Sequence, residues 1–217
     1  MTLIALPGVY IPRGDTAILG GALRRERLPE GARVLDVGTG TGVLALTAAM
    51  RGARVTAVDN CRPAVWSARL NALLARTPMR VLRGDLTSPV AGHSFDLVVA
   101  NPPYLPSPAH ALPSSGPARA WDAGRDGRAV IDRICRDVPR LLAPGGVLLV
   151  VHSALSGVES TLTRLRAAGL TAQVTERHRL PFGPVMRSRR SWLRGRGLIA
   201  PGAQTEELVV IRAERTR

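Results

Sequence analysis

From residue 33 onward, apolar runs of strand length alternate with helical patterns, and few folds accept that order. Arg33-Val-Leu-Asp-Val37 reads as a buried strand, followed by a glycine-rich turn and a helical stretch from Val43 to Arg51. Arg54 to Val58 is a second strand, and Pro63 to Arg76 a second helix with proline in its first turn. Strands over Arg80 to Arg83 and Phe95 to Ala100 lead into a proline-rich loop. A helix is expected over Arg128 to Leu142, bent or shortened by Pro139, and then an apolar strand over Val147 to Val151. Ser156-Gly-Val-Glu159 has the spacing of a capping box for a helix running to Ala168. Strands near Ala172 to Arg179 and Glu207 to Ala213 close the chain.

Strands separated by helices of this length form right-handed βαβ units, so the expected class is α/β with a mostly parallel sheet covered on both faces. Seven strands are counted, and no helix is evident between the last two, so the terminal strand is expected to run antiparallel. Residues 1–32 read as an N-terminal helical extension, its helix starting at Asp15 as N-cap, and residues 33–217 as the main domain.

Composition narrows the function. Hydrophobic residues make up 45% and charged residues 21%, a globular balance that excludes disorder of the whole chain. No apolar run approaches the roughly 18 residues of a membrane span, and the N-terminus lacks a basic signal-peptide region. A soluble, cytoplasmic protein with no membrane association is the expectation. Cys61 and Cys135 form no CxxC pair, and His93, His110, His152 and His178 are scattered, so no metal site is expected. The chain has no lysine; its 30 basic residues are all arginine, against 16 acids, for a net charge of +14. Such a field attracts polyanions. Five of the arginines fall within residues 187–196: Arg187, Arg189, Arg190, Arg194 and Arg196. They are expected to form a lip near a substrate cleft that guides an acidic, RNA or ribonucleoprotein partner.

Four strand ends carry the chemistry. Asp36-Val-Gly-Thr-Gly-Thr-Gly42 follows the first strand, and Gly38, Gly40 and Gly42 let the backbone turn tightly with no Cβ in a ligand's way. A dinucleotide loop would place its third glycine at 43, where valine stands. Asp36 would repel a pyrophosphate but accept from an ammonium group. Asp59 ends the second strand, where a carboxylate can hold both hydroxyls of a ribose. In Gly84-Asp85-Leu86, Asp85 can accept from the exocyclic amine of an adenine, and Leu86 offers a backbone N–H and an apolar face. The fourth is Asn101-Pro-Pro-Tyr104. The Asn101 side-chain oxygen and the Pro102 carbonyl are two acceptors that can grip a planar amino group, and Tyr104 supplies an aromatic wall.

Together these stretches resemble the class I S-adenosylmethionine-dependent methyltransferases. Asn101-Pro-Pro-Tyr104 narrows the resemblance to enzymes that methylate nitrogens of planar groups. The nearest likeness is to the HemK-type protein-glutamine N5-methyltransferases, in particular the short branch with the eukaryotic release-factor enzymes. Gly8-Val-Tyr-Ile-Pro-Arg-Gly-Asp-Thr16 and Trp121-Asp-Ala-Gly-Arg-Asp-Gly-Arg128 resemble that branch's own segments. The resemblance implies a Rossmann-like methyltransferase fold with S-adenosyl-L-methionine as cofactor. It implies a cofactor pocket lined by Thr16, Asp36, Gly38, Gly40, Asp59, Asn60, Asp85, Leu86 and Asn101. Asn101, Pro102 and Tyr104 would present the acceptor, a glutamine side-chain amide of a protein such as a translation release factor. Adenine N6 in RNA or DNA and a small-molecule nitrogen are the alternative acceptors. A noncatalytic RNA-binding module is a third class, and the intact Asn101–Tyr104 stretch with its strand-end acids speaks against it. Too few residues precede Arg33 for the extra helical domain of the longer bacterial enzymes, and the arginine-rich segment is no part of the branch's pattern. The eukaryotic enzymes also work with a small zinc-binding activator subunit; the residues here leave open whether this chain takes one.

Overall fold

The structure, a computed structural model, describes residues 3–109 and 111–216; His110 lies outside the described residues. Every residue of β1 (Arg33–Val37) after the first is buried, because β1 sits in the middle of the sheet with helices on both sides. In chain order the elements are α1 (Gly14–Arg25), β1, α2 (Val43–Ala49), β2 (Arg54–Asp59), α3 (Arg62–Leu74), β3 (Arg80–Arg83) and β4 (Phe95–Ala100). The second half holds α4 (Ile131–Asp137), β5 (Leu142–Ser153), α5 (Val158–Ala167), β6 (Leu170–Pro181), α6 (Pro184–Ser188), α7 (Arg190–Gly195) and β7 (Thr205–Arg215).

The strands form one seven-stranded sheet in the order β3-β2-β1-β4-β5-β7-β6. Pairings from β3 through β5 are parallel, and β7 runs antiparallel to both its neighbours, as expected. The order reverses between β1 and β4. In such sheets the crevice beyond the carboxyl ends of the strands at the reversal is where a ligand sits.

Alternation along the strands feeds two cores. Leu35, Val98, Leu148 and Val209 face Ile131, Ile134 and Leu165. Val34, Leu97, Leu149 and Val210 face Leu19, Leu23 and Leu44. With both faces covered, the strands read as near-continuous apolar runs rather than alternating ones. Each fully buried leucine contributes roughly 1.5–3 kcal/mol of burial free energy. Among the described residues no helix is long and apolar enough to cross a membrane.

The structure corrects several expected boundaries. Arg13, not Asp15, precedes α1, and Asp15 lies buried inside its first turn. The helix expected over Arg128 to Leu142 is shorter: α4 ends at Asp137 and a 3-10 turn over Val138–Leu141 accommodates Pro139, which has no N–H to donate. Ser156 does not cap α5. Gly157 does, at φ 79°, while the Ser156 hydroxyl donates to the Tyr104 carbonyl at 2.7 Å. The link between the last two strands, read as helix-free, carries α6 and α7. They stand on a small third core in which Phe182, Met186 and Leu193 pack against Leu105. Too short to show helical periodicity, they are held by that contact.

Candidate active site

The turn after β1 is pinned on both sides. Gly38, Gly40 and Gly42 take left-handed φ of 74°, 56° and 85°. The Gly38 and Thr39 amides donate to the Val58 carbonyl at 2.9 and 3.0 Å. A Cβ on Gly42 would meet Ala68 and Met79 at 3.1 Å, so this glycine serves the packing of α3 rather than a ligand. A Cβ on Gly40 would meet nothing within 4 Å, and one on Gly38 would lie 4.0 Å from the Asn101 carbonyl. Gly38 and Gly40 thus leave the space that an incoming ligand needs, opposite the loop after β4.

Asp36 lies beneath this turn with no exposure. Its Oδ2 accepts from Thr39 Oγ1 at 2.6 Å and from the Ala45 amide at 3.1 Å, while its Oδ1 is buried without a partner. Burial pushes its carboxyl up to about 7. An unsatisfied buried acceptor is what a ligand ammonium would relieve. Asp59, at the end of β2, accepts from the Gly40 amide at 2.9 Å through one oxygen and from the Cys61 amide at 2.8 Å through the other. It ties the turn to the start of α3, and each oxygen keeps lone-pair capacity for a further donor. Burial raises its carboxyl above the usual range. The neighbouring Asn60 accepts from Arg119 at 2.6 Å. Beyond β3, Asp85 accepts from Arg133 at 2.5 Å, and Leu86 takes φ 48°. A left-handed non-glycine residue costs roughly 1–2 kcal/mol, and packing of Leu86 against the core holds it there.

The loop after β4 meets the start of α1. Asn101 Nδ2 donates to Asp15 Oδ2 at 3.2 Å and to Thr16 Oγ1 at 3.1 Å. Two acceptors use both amide hydrogens, which fixes the orientation of the side chain and leaves its Oδ1 free to accept. The hydroxyls of Tyr10 and Tyr104 also donate to Asp15, at 3.0 and 3.3 Å, and the Thr16 amide donates at 2.6 Å. Burial, the Asp15 charge and these bonds raise both phenols, which stay protonated donors. Behind the loop, Leu105 exchanges backbone bonds with Trp121 and Ala123 at 2.8 and 3.1 Å. A Cβ on Gly127 would lie 2.3 Å from the Tyr104 carbonyl, so only glycine lets the 121–128 segment back this loop so closely.

Residues 1–111 match the family described as the Methyltransferase small domain. The chain belongs to that family. Among relatives of this methyltransferase is a Methanocaldococcus jannaschii protein provisionally named a protein N5-glutamine methyltransferase. The two are 33% identical over 181 residues, 83% of this chain and 90% of that one. A release factor glutamine methyltransferase of Mycolicibacterium smegmatis is 38% identical over 85% of this chain, and the match spans 68% of the relative. One from Deinococcus radiodurans is 39% identical over 76% of this chain and 61% of the relative. Among solved structures, the E. cuniculi Mtq2-Trm112 complex, described as methylating the eRF1 termination factor, aligns at 25% identity and TM-score 0.67. That alignment covers 96% of this chain and 99% of the other. The T. thermophilus 16S rRNA methyltransferase RsmC, solved with AdoMet and guanosine, shares the fold at 21% identity and TM-score 0.65, over 97% of this chain and 46% of its own.

The methyltransferase brings most of the expected residues to one edge of the sheet. Asp36, Gly38, Asp59, Asp85 and Asn101 stand at or just past the carboxyl ends of β1 to β4, and Thr16 reaches Asn101 from α1. Sequence reasoning missed Asp15, which accepts from both Asn101 and Tyr104, and Tyr10, whose hydroxyl donates to Asp15. Asp15 was read as a cap because an acid at a helix start usually is one; its position beside Thr16 in the Gly8–Thr16 stretch was the available signal. The arginine-rich segment also differs from a uniform lip. Arg189 pairs with Asp122 at 2.6 Å and donates to the Pro106 carbonyl at 3.0 Å, and Arg187 donates to the Phe182 carbonyl at 2.6 Å. Arg189 fastens the α6–α7 pair to the loop beside Tyr104 and Arg187 ties α6 back to the end of β6, leaving Arg190, Arg194 and Arg196 exposed and without an ion pair among the described residues.

Proposed function

We propose that this methyltransferase transfers a methyl group from S-adenosyl-L-methionine to the side-chain amide nitrogen of a glutamine in a protein, a translation release factor. One observation carries the reading: both Asn101 amide hydrogens are taken by Asp15 and Thr16, so its Oδ1 is aimed as an acceptor. That oxygen and the Pro102 carbonyl accept the two hydrogens of a primary amide and fix its nitrogen for attack. Tyr104, held by Asp15, flanks the amide plane.

The donor-side residues suit the cofactor. The orphaned Asp36 Oδ1 suits an ammonium, Asp59 suits a ribose diol, and Asp85 with Leu86 suits an adenine edge. When bound, S-adenosylmethionine supplies a methyl group on a sulfonium that is already a good leaving group. The protein's part is to hold the amide in line and exclude water from the crevice.

Replacing Asp59 with alanine is expected to act on donor binding. The variant loses a charged acceptor and frees the Gly40 amide, so donor affinity falls about 10- to 100-fold. Turnover at saturating donor falls far less, because the ribose is remote from the methyl group. Calorimetric titration with S-adenosylhomocysteine beside saturated turnover checks the split.

Relatives acting on release factors support a protein acceptor in the cytoplasm. The Mtq2-Trm112 likeness supports a second subunit. So does the outer face of α3, where Trp66, Leu73 and Leu74 are 61%, 74% and 60% exposed. Arg190, Arg194 and Arg196 would meet an acidic or RNA-bound partner.

The acceptor is tested with labelled donor and cell extract, in aliquots treated with nuclease or protease. Label that survives nuclease and is lost to protease is the expected result. The reverse moves the assignment to adenine in nucleic acid, and label passing a small-pore filter moves it to a small molecule.

A further inference from the structure

Asn71 is a buried amide on α3, outside both the glycine turn and the Asn101 loop. Such a group is tolerated only when its polar atoms find partners, and the partners of Asn71 lie far away in the chain. Its Nδ2 donates to the Thr41 carbonyl, inside the glycine turn, and to the Ile4 carbonyl, both at 2.9 Å. Its Oδ1 accepts from the Ile4 amide at 2.8 Å. One helical turn earlier, the buried Ser67 hydroxyl accepts from the Leu6 amide at 3.0 Å. Residues four apart share a helix face, so Ser67 and Asn71 lay residues 4–6 along α3.

The segment then changes direction. The Val9 amide donates to the Leu6 carbonyl at 3.0 Å across Pro7 and Gly8, with Gly8 at φ 81°. Proline followed by a left-handed glycine is the sequence of a type II turn. Beyond it the Tyr10 hydroxyl reaches Asp15 at 3.0 Å, and Asp15 accepts from Asn101 and Tyr104. A strap over residues 4–10 therefore runs from Asn71 at one end to the carboxylate behind Asn101 at the other.

We propose that Asn71 is a positioning residue for methyl transfer. Its one amide braces the glycine turn on the donor side and anchors the strap whose Tyr10 steadies Asp15, and through it Asn101, on the acceptor side. The inference rests on the reading of the glycine turn as the donor site and of Asn101 as the holder of the acceptor. A displaced Thr41 carries the neighbouring Gly40 away from Asp59, and a released strap lets Tyr10 withdraw from Asp15. Displacements of about 1 Å are enough to spoil a near-attack geometry.

The test compares wild type with Asn71→Ala, Ser67→Ala, Tyr10→Phe and the double variant Asn71→Ala with Tyr10→Phe. Donor affinity is read by calorimetric titration with S-adenosylhomocysteine, turnover at saturating donor with a purified release factor, and stability by thermal melts. Asn71→Ala is expected to weaken donor binding about tenfold and to lower saturated turnover about tenfold. Ser67→Ala frees the strap but keeps the Thr41 bond, so turnover falls roughly threefold with donor affinity near wild type. Tyr10→Phe gives the same split. The double variant turns over no more slowly than Asn71→Ala, because both changes cut one connection. An Asn71→Ala protein that melts earlier yet keeps wild-type affinity and turnover overturns the proposal, and so do additive turnover losses in the double variant. If Asn71→Ala does not fold, Ser67→Ala and Tyr10→Phe decide: wild-type turnover in both overturns the strap's role. If wild type binds S-adenosylhomocysteine but methylates nucleic acid, the variants are measured on that acceptor; the same pattern there keeps the brace and removes the amide reading.

Discussion

Asn101→Ala is expected to lower saturated methyl transfer at least a hundredfold while leaving a folded protein. The lost acceptor bond is worth roughly 0.5–1.5 kcal/mol, and more when the substrate donor is left unsatisfied. The larger effect is geometric, since an amide free to rotate loses its in-line approach, and such misplacement costs on the order of 10²-fold. The fold survives because Asp15 keeps other donors in the Tyr10 and Tyr104 hydroxyls and the Thr16 amide, so no buried charge is stranded. Single-turnover rates with a thermal melt check both halves. Near-wild-type turnover would reduce the Asn101–Tyr104 loop to scaffolding and remove the main support for the amide acceptor.

Asp15→Ala is expected to fall nearly as far by a different route. Asp15 touches no substrate atom in this reading; it holds Asn101 and Tyr104 in place. Without it the Asn101 amide retains only Thr16 Oγ1 and can flip, presenting hydrogens where an acceptor is needed. Turnover should drop about 10- to 100-fold with donor affinity nearly unchanged, the opposite split to Asp59→Ala. Stability should also fall by about 1–3 kcal/mol, because the Tyr10 and Tyr104 hydroxyls lose a buried acceptor. The decisive measurement is the double variant. If Asp15 works through Asn101, removing both costs little more in turnover than Asn101→Ala alone. Additive losses would mean that Asp15 acts on the reaction independently.

The sheet and the donor side were legible because their signals are local. A strand buried on both faces needs a continuous apolar run, a tight turn needs glycine, and the chain then delivers Asp36, Asp59 and Asp85 to strand ends within a few residues of each signal. Gly42 shows where local reading stops. It looks like its neighbours in the turn, and only the approach of Ala68 and Met79 makes it a packing residue.

The acceptor side depended on contacts between distant segments. Asp15 and Asn101 are 86 residues apart, and no periodicity links a helix start to a loop after the fourth strand. Arg187 and Arg189 look like their neighbours in a basic run, and only Phe182, Pro106 and Asp122 distinguish them from the exposed Arg190, Arg194 and Arg196. The sequence by itself determined the strand order's raw material, the glycine turn and the residue types at each strand end. The tertiary structure decided which carboxylate meets which amide. Hydrogen bonds and buried charge depend on separations of a few ångströms, and only packing sets those between segments far apart in the chain.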